Sequence, residues 1–130
     1  MATRSRIAIR TGENEVSSIY CHWDGYPEGV GNELITRFNS RELAEQLIEL
    51  GNRSYLIQPE GHTPASGELY DEPADKCSLG QWEATSKYPE SWEQFIYEWI
   101  DGEGWIVYDV DNDEYSTVKD AIAAAKAQRV

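Results

Sequence analysis

Between Tyr20 and Gly31 the chain crowds three aromatic rings (Tyr20, Trp23, Tyr26), a thiol (Cys21), an imidazole (His22), the carboxylates of Asp24 and Glu28, Pro27, and Gly25, Gly29 and Gly31 into one run. No other stretch limits the backbone as tightly. Proline fixes its own φ and removes a donor; glycine serves where the chain must bend sharply or approach another backbone closely. The segment predicts a rigid corner between a strand and a helix. A recognition surface is the second reading of the same residues. Tyr20, His22, Trp23, Asp24, Tyr26, Pro27, Gly29 and Gly31 are therefore the candidate binding residues.

Both sides of the corner have a clear period. Residues 3–10 alternate, with Ile7 and Ile9 on one side and Arg6, Ala8 and Arg10 on the other, which predicts a half-buried strand. Residues 11–15 read as a turn and Val16 to Trp23 as a second strand, so 4–23 form an antiparallel hairpin. A helix is expected from Gly29 or Val30, because Val30, Leu34, Ile35 and Phe38 share one helical face. Ser40 opens a second helix with Leu43, Leu47, Ile48 and Leu50 as its apolar set, and Gly51 stops it.

Residues 52–91 are punctuated by Pro59, Gly61, Pro64, Gly67, Pro73, Gly80 and Pro89 and read as a long loop, with Tyr55-Leu56-Ile57 as a short strand. Tyr70, Trp82 and Tyr88 are expected to pin it to the body. Trp92–Ile100 and Trp105–Val110 are rich in aromatic and β-branched residues, and Asp101-Gly102-Glu103-Gly104 between them signals a second hairpin. Both faces of the second of these strands are apolar, as in a strand covered on both sides. Residues 111–114 read as a turn, and Thr117 with Asp120 caps a last helix, Val118 to Gln128. The expected fold is α+β and a single domain: two antiparallel hairpins forming a four-stranded sheet, with about three helices packed on one face.

Charge is uneven. Asp and Glu number 24 against 11 Lys and Arg, a net of −13. Residues 1–65 hold 9 acids and 6 bases, whereas residues 66–130 hold 15 acids and 5 bases. That sign repels nucleic acid and anionic membranes, so neither is an expected partner. It suits a basic protein partner, or it serves solubility alone. No apolar run reaches the length needed to span a bilayer and no apolar leader follows the start, so a cytoplasmic location is expected. Two cysteines in such a compartment read as free thiols.

Chemistry-bearing constellations are weak. Cys21 and His22 are neighbours on a strand and point to opposite faces, so a thiol–imidazole pair would need His62 instead. Cys21, His22, His62 and Cys77 lack the short paired spacing of a structural zinc site. Asp109, Asp111 and Asp113 resemble the start of a calcium loop, but Glu114 occupies the position where the tight turn needs glycine. Gly25, Gly29 and Gly31 precede a helix start, yet Asp24, Glu28 and Glu33 already place negative charge there, against a phosphate. No catalytic residue, metal or cofactor is assigned. The aromatics Trp23, Tyr26, Trp82, Trp92, Tyr97, Trp99, Trp105 and Tyr108 exceed what a domain this small buries, leaving either a cover for the long loop or an exposed patch.

The run Tyr-Cys-His-Trp-Asp-Gly-Tyr-Pro-Glu-Gly-Val-Gly, with the opening Met-Ala-Thr-Arg-Ser, resembles a family of small tailed-phage and prophage proteins with no known activity. The resemblance is good over the first 50 residues or so and loose beyond them. It implies an accessory protein acting in the host cytoplasm. Together with the charge, the aromatics and the absent catalytic pattern, it leads to the expectation of a protein-binding protein, in its sharpest form an inhibitor that mimics nucleic acid before a basic host protein. The alternative is a small enzyme or ligand-binding module, its pocket built from 20–31 and 52–91.

Overall fold

The structure is a computed structural model that describes residues 3–52, 56, 73–86 and 92–127. Its chain order is β1 (Ser5–Gly12), β2 (Glu15–Cys21), a π-helical turn (Pro27–Gly31), α1 (Asn32–Arg37), α2 (Arg41–Glu49), β3 (Asp75–Cys77), α3 (Leu79–Thr85), β4 (Phe95–Ile100), β5 (Gly104–Asp109), β6 (Glu114–Thr117) and α4 (Val118–Ala127). The class is α+β, as expected. Among the described residues, however, the sheet has six strands rather than four, in the order β3-β2-β1-β4-β5-β6.

The two hairpins exist where the alternation and turn residues placed them. β1 and β2 pair antiparallel from Ser5↔Cys21 to Gly12↔Glu15, and β4 and β5 from Phe95↔Asp109 to Ile100↔Gly104. They join along a parallel seam, with Ser5 opposite Phe95 and Ile9 opposite Trp99. β3 and β6 extend the two outer edges, both antiparallel.

Register divides the side chains between two faces. Ile7, Ile9, Ile19, Cys21, Tyr97, Trp105 and Val107 form the first core with Val30, Leu34, Ala44, Leu47, Ile48, Leu56, Val118 and Ile122. Three helices, α1, α2 and α4, thus cover this face. The second face carries Ala8, Val16, Ile96 and Tyr108, which gather around Trp82 of α3. Helices therefore lie on both faces, not one. β5 accordingly buries Trp105 and Val107 on one side and Tyr108 on the other.

Helices α2, α3 and α4 start at side-chain caps. Ser40 Oγ accepts the Leu43 N–H at 3.2 Å, Ser78 Oγ the Gln81 N–H at 3.2 Å, and Thr117 Oγ1 the Asp120 N–H at 3.1 Å. Gly51, with φ +82°, ends α2. Within α2 the buried set is Ala44, Leu47 and Ile48; Leu43 and Leu50 face solvent, because a nine-residue helix docked by one stripe leaves its flanks outside. The long punctuated segment holds β3 and α3, pinned by buried Trp82; Tyr55, Ile57, His62, Tyr70 and Tyr88 lie outside the described residues. No helix among the described residues is long and apolar enough to cross a membrane.

Candidate functional site

The corner is built by backbone approach. Gly25 N–H donates to the Thr3 carbonyl at 2.9 Å, and the Val30 N–H to the Asp24 carbonyl at 2.8 Å. A Cβ on Gly25 would stand 2.7 Å from the Thr3 oxygen, and one on Gly29 2.3 Å from the Asp24 oxygen. Pro27 then occupies the first helical position, where its missing N–H costs nothing. The helix thus starts at Pro27, two residues before Gly29, and its first turn is wide: the Asn32 N–H reaches back five residues to the Pro27 carbonyl. Tyr97 of β4 clamps the corner from inside, its hydroxyl donating to the Gly25 carbonyl at 2.7 Å. Burial pushes that phenol well above its usual pKa, so it stays a donor.

The candidate residues divide between skeleton and surface. Pro27 and Gly31 are buried and Gly29 is half-buried. Tyr20 and His22 project together: the Tyr20 hydroxyl lies 2.8 Å from His22 Nδ1, and Trp23 meets the imidazole edge-on with centroids 4.9 Å apart. Partial burial, then the Arg4 charge, lower the His22 pKa and so favour the neutral ring. Asp24, with φ +57°, accepts the Tyr26 hydroxyl at 3.1 Å. Cys21 sits in the first core with its thiol donating to the Trp23 carbonyl at 3.6 Å, on the other side of the strand from His22. Cys77 packs beside the second-face cluster, and burial raises its thiol pKa. The two thiols are thus on opposite faces of the sheet. Two carboxylates of the triple-aspartate run, at the end of β5 and in the turn to β6, are used internally: Asp109 accepts from the Asn112 side chain at 2.8 Å and Asp113 from the Tyr108 hydroxyl at 2.5 Å.

The register brings one further ring to this end of the sheet. Cys21, Ser5, Phe95, Asp109 and Glu114 form one row of successive cross-strand partners, so the residues just beyond them share an edge. Trp23 and Tyr26 follow β2, Trp92 precedes β4, and Asp111 and Asp113 follow β5. Trp23 is 38 %, Tyr26 37 % and Trp92 80 % exposed, and Trp92 takes φ +65°, a conformation rare for a bulky side chain. Composition singled out Trp92 among the aromatics, but only the parallel seam shows which end of the sheet it joins.

A second feature was not legible in the sequence. α3 covers the β1–β2 side of the second face and leaves a cleft of about 400 Å³ over β4 and β5. Ile96, Ile100 and Ile106 form its floor; Trp82 and Glu83 stand on one side, Tyr108 and Tyr115 on the other. The tyrosine ring centroids lie 4.5 Å apart with their planes tilted by 33°. Glu98 accepts the Trp82 indole N–H at 2.7 Å and faces Arg10 at 3.7 Å. The cleft takes Trp82, Glu83 and Ser86 from the 52–91 segment and nothing from 20–31. The chain matches no family model, no characterised protein and no solved structure.

Proposed function

We propose that the chain is a phage accessory protein that binds another protein through the aromatic, acid-bordered end of its sheet. The observation that carries this reading is the exposure of Trp23, Tyr26 and Trp92 on one edge. Tryptophan and tyrosine dominate interface hot spots because they bury much area at little entropic cost. The backbone beneath Trp23 and Tyr26 is held by glycine contacts and a buried tyrosine hydroxyl, so these rings are presented by a rigid support. Asp24 bonds the Tyr26 hydroxyl, Asp111 and Asp113 follow β5 at the same end of the sheet, and the overall charge of −13 favours a basic partner. In its sharpest form the surface stands in for nucleic acid before a basic host protein.

Affinity capture from bacterial lysate at about 150 mM salt tests the reading. The chain retains a discrete partner, and the double variant Trp23→Ser/Trp92→Ser, folded by circular dichroism, loses it. Duplex DNA competes if the partner's basic site is the target. The reading is lost if the wild type holds only proteins that vanish uniformly as salt rises, or if the double variant holds the same partner equally well.

A further inference from the structure

We propose that the cleft on the second face receives a basic side chain, lysine or arginine, of a polypeptide partner. The inference rests on the reading of the chain as a binder of polypeptides but concerns a different surface. Three properties of the cleft select a cation on an apolar stem. The floor of Ile96, Ile100 and Ile106 suits an alkyl chain. At one side Tyr115, 60 % exposed, offers a π face, with the ring of Tyr108 tilted against it at 4.5 Å. The Tyr108 hydroxyl donates to Asp113, which makes that ring more electron-rich and a better partner for a cation.

Charge points the same way. Among the described residues, the ionisable groups lining the cleft are Glu83, Glu98 and Arg10, a net negative set. Glu98 is mostly shielded, with its side chain 16 % exposed, and its Oε1 is fixed by the Trp82 indole. Its Oε2 faces Arg10 at 3.7 Å, long for a charge-assisted hydrogen bond. Arg10 is itself 47 % exposed. An incoming ammonium or guanidinium gains a closer contact with Glu98 than Arg10 makes, while its stem covers the isoleucines. A neutral apolar side chain gains only the floor, and an anion meets Glu83 and Glu98.

Short capped peptides test this directly: Gly-Arg-Gly and Gly-Lys-Gly against the neutral Gly-norleucine-Gly, titrated into the full chain and read at the Trp82 indole N–H resonance. Both basic peptides move that resonance and bind at least about tenfold more tightly than the norleucine peptide at low salt. Tyr115→Ala, at an exposed position, weakens them about fivefold or more. Glu98→Gln, which keeps an acceptor for the indole, removes the preference for the cation. The proposal is overturned if norleucine binds as well as arginine, if no peptide moves the resonance up to about 10 mM, or if both cleft variants bind like the wild type. A lysate partner retained through Trp23 and Trp92 without peptide binding removes the cleft alone; peptide binding without such a partner removes the sheet-end reading alone.

Discussion

At the scale of single residues, a glycine that the corner requires contrasts with one elsewhere that is dispensable. At Gly29 a Cβ would stand 2.3 Å from the Asp24 carbonyl oxygen, backbone that already holds the Val30 N–H. Gly29→Ala should cost about 2–3 kcal/mol in urea unfolding. At Gly80, inside α3, an added Cβ meets nothing within 4 Å, so Gly80→Ala should be neutral or stabilise by up to about 1 kcal/mol. Equal costs at the two positions would mean the corner is not held as described. His22 gives a test by pH. Burial, then Arg4, hold its pKa below the usual value near 6.5, so on acidification the unfolded chain takes up this proton first. The His22 contribution is therefore fully present above about pH 6.5 and is lost as pH falls through the lowered folded value. His22→Gln should lose less Tm than the wild type between about pH 8 and pH 5.5; an identical loss in both would contradict the assignment.

At the scale of elements, α3 hangs on one side chain. Trp82 is its sole buried residue and also bonds Glu98 across the cleft. In Trp82→Ala, amides of 79–85 should exchange with solvent far faster than in the wild type, while those of β1, β4 and β5 keep most of their protection. Uniform loss over the whole sheet would instead make Trp82 part of the central core. What the sequence revealed depended on local signal of this kind. Ile7 and Ile9, the Asp101–Gly104 turn, and the Ser40 and Gly51 boundaries announce hairpins and a helix because each acts within a few residues. Asp75-Lys76-Cys77 and Glu114-Tyr115-Ser116-Thr117 carry no alternation, being short polar edge strands whose pairing is decided by their neighbours. The corner was readable as a backbone device from its Gly and Pro. The cleft was not, because Trp82, Ile96, Ile106 and Tyr115 come from four elements that only the strand order brings together.

At the scale of the molecule, net charge and topology set the behaviour. With −13 on 130 residues, like charges oppose compaction, and the excess lies in residues 66–130. Raising sodium chloride from about 20 to 300 mM should raise Tm by a few degrees through screening; a fall would show that attractive pairs such as Arg6–Glu93 and Arg41–Asp101 dominate instead. The seam between β1 and β4 has a consequence in time. Ser5 waits for Phe95 and Ile9 for Trp99, so the middle of the sheet closes only when strands from the two ends of the sequence meet. During synthesis β1 leaves the ribosome early, paired on one side with β2 and bare on the other, and stays so until residues 95–99 emerge. A nascent chain with an open central edge is a template for the wrong strand, and closure over so long a loop is slow. The molecule therefore becomes itself late, all at once, when its last hairpin docks.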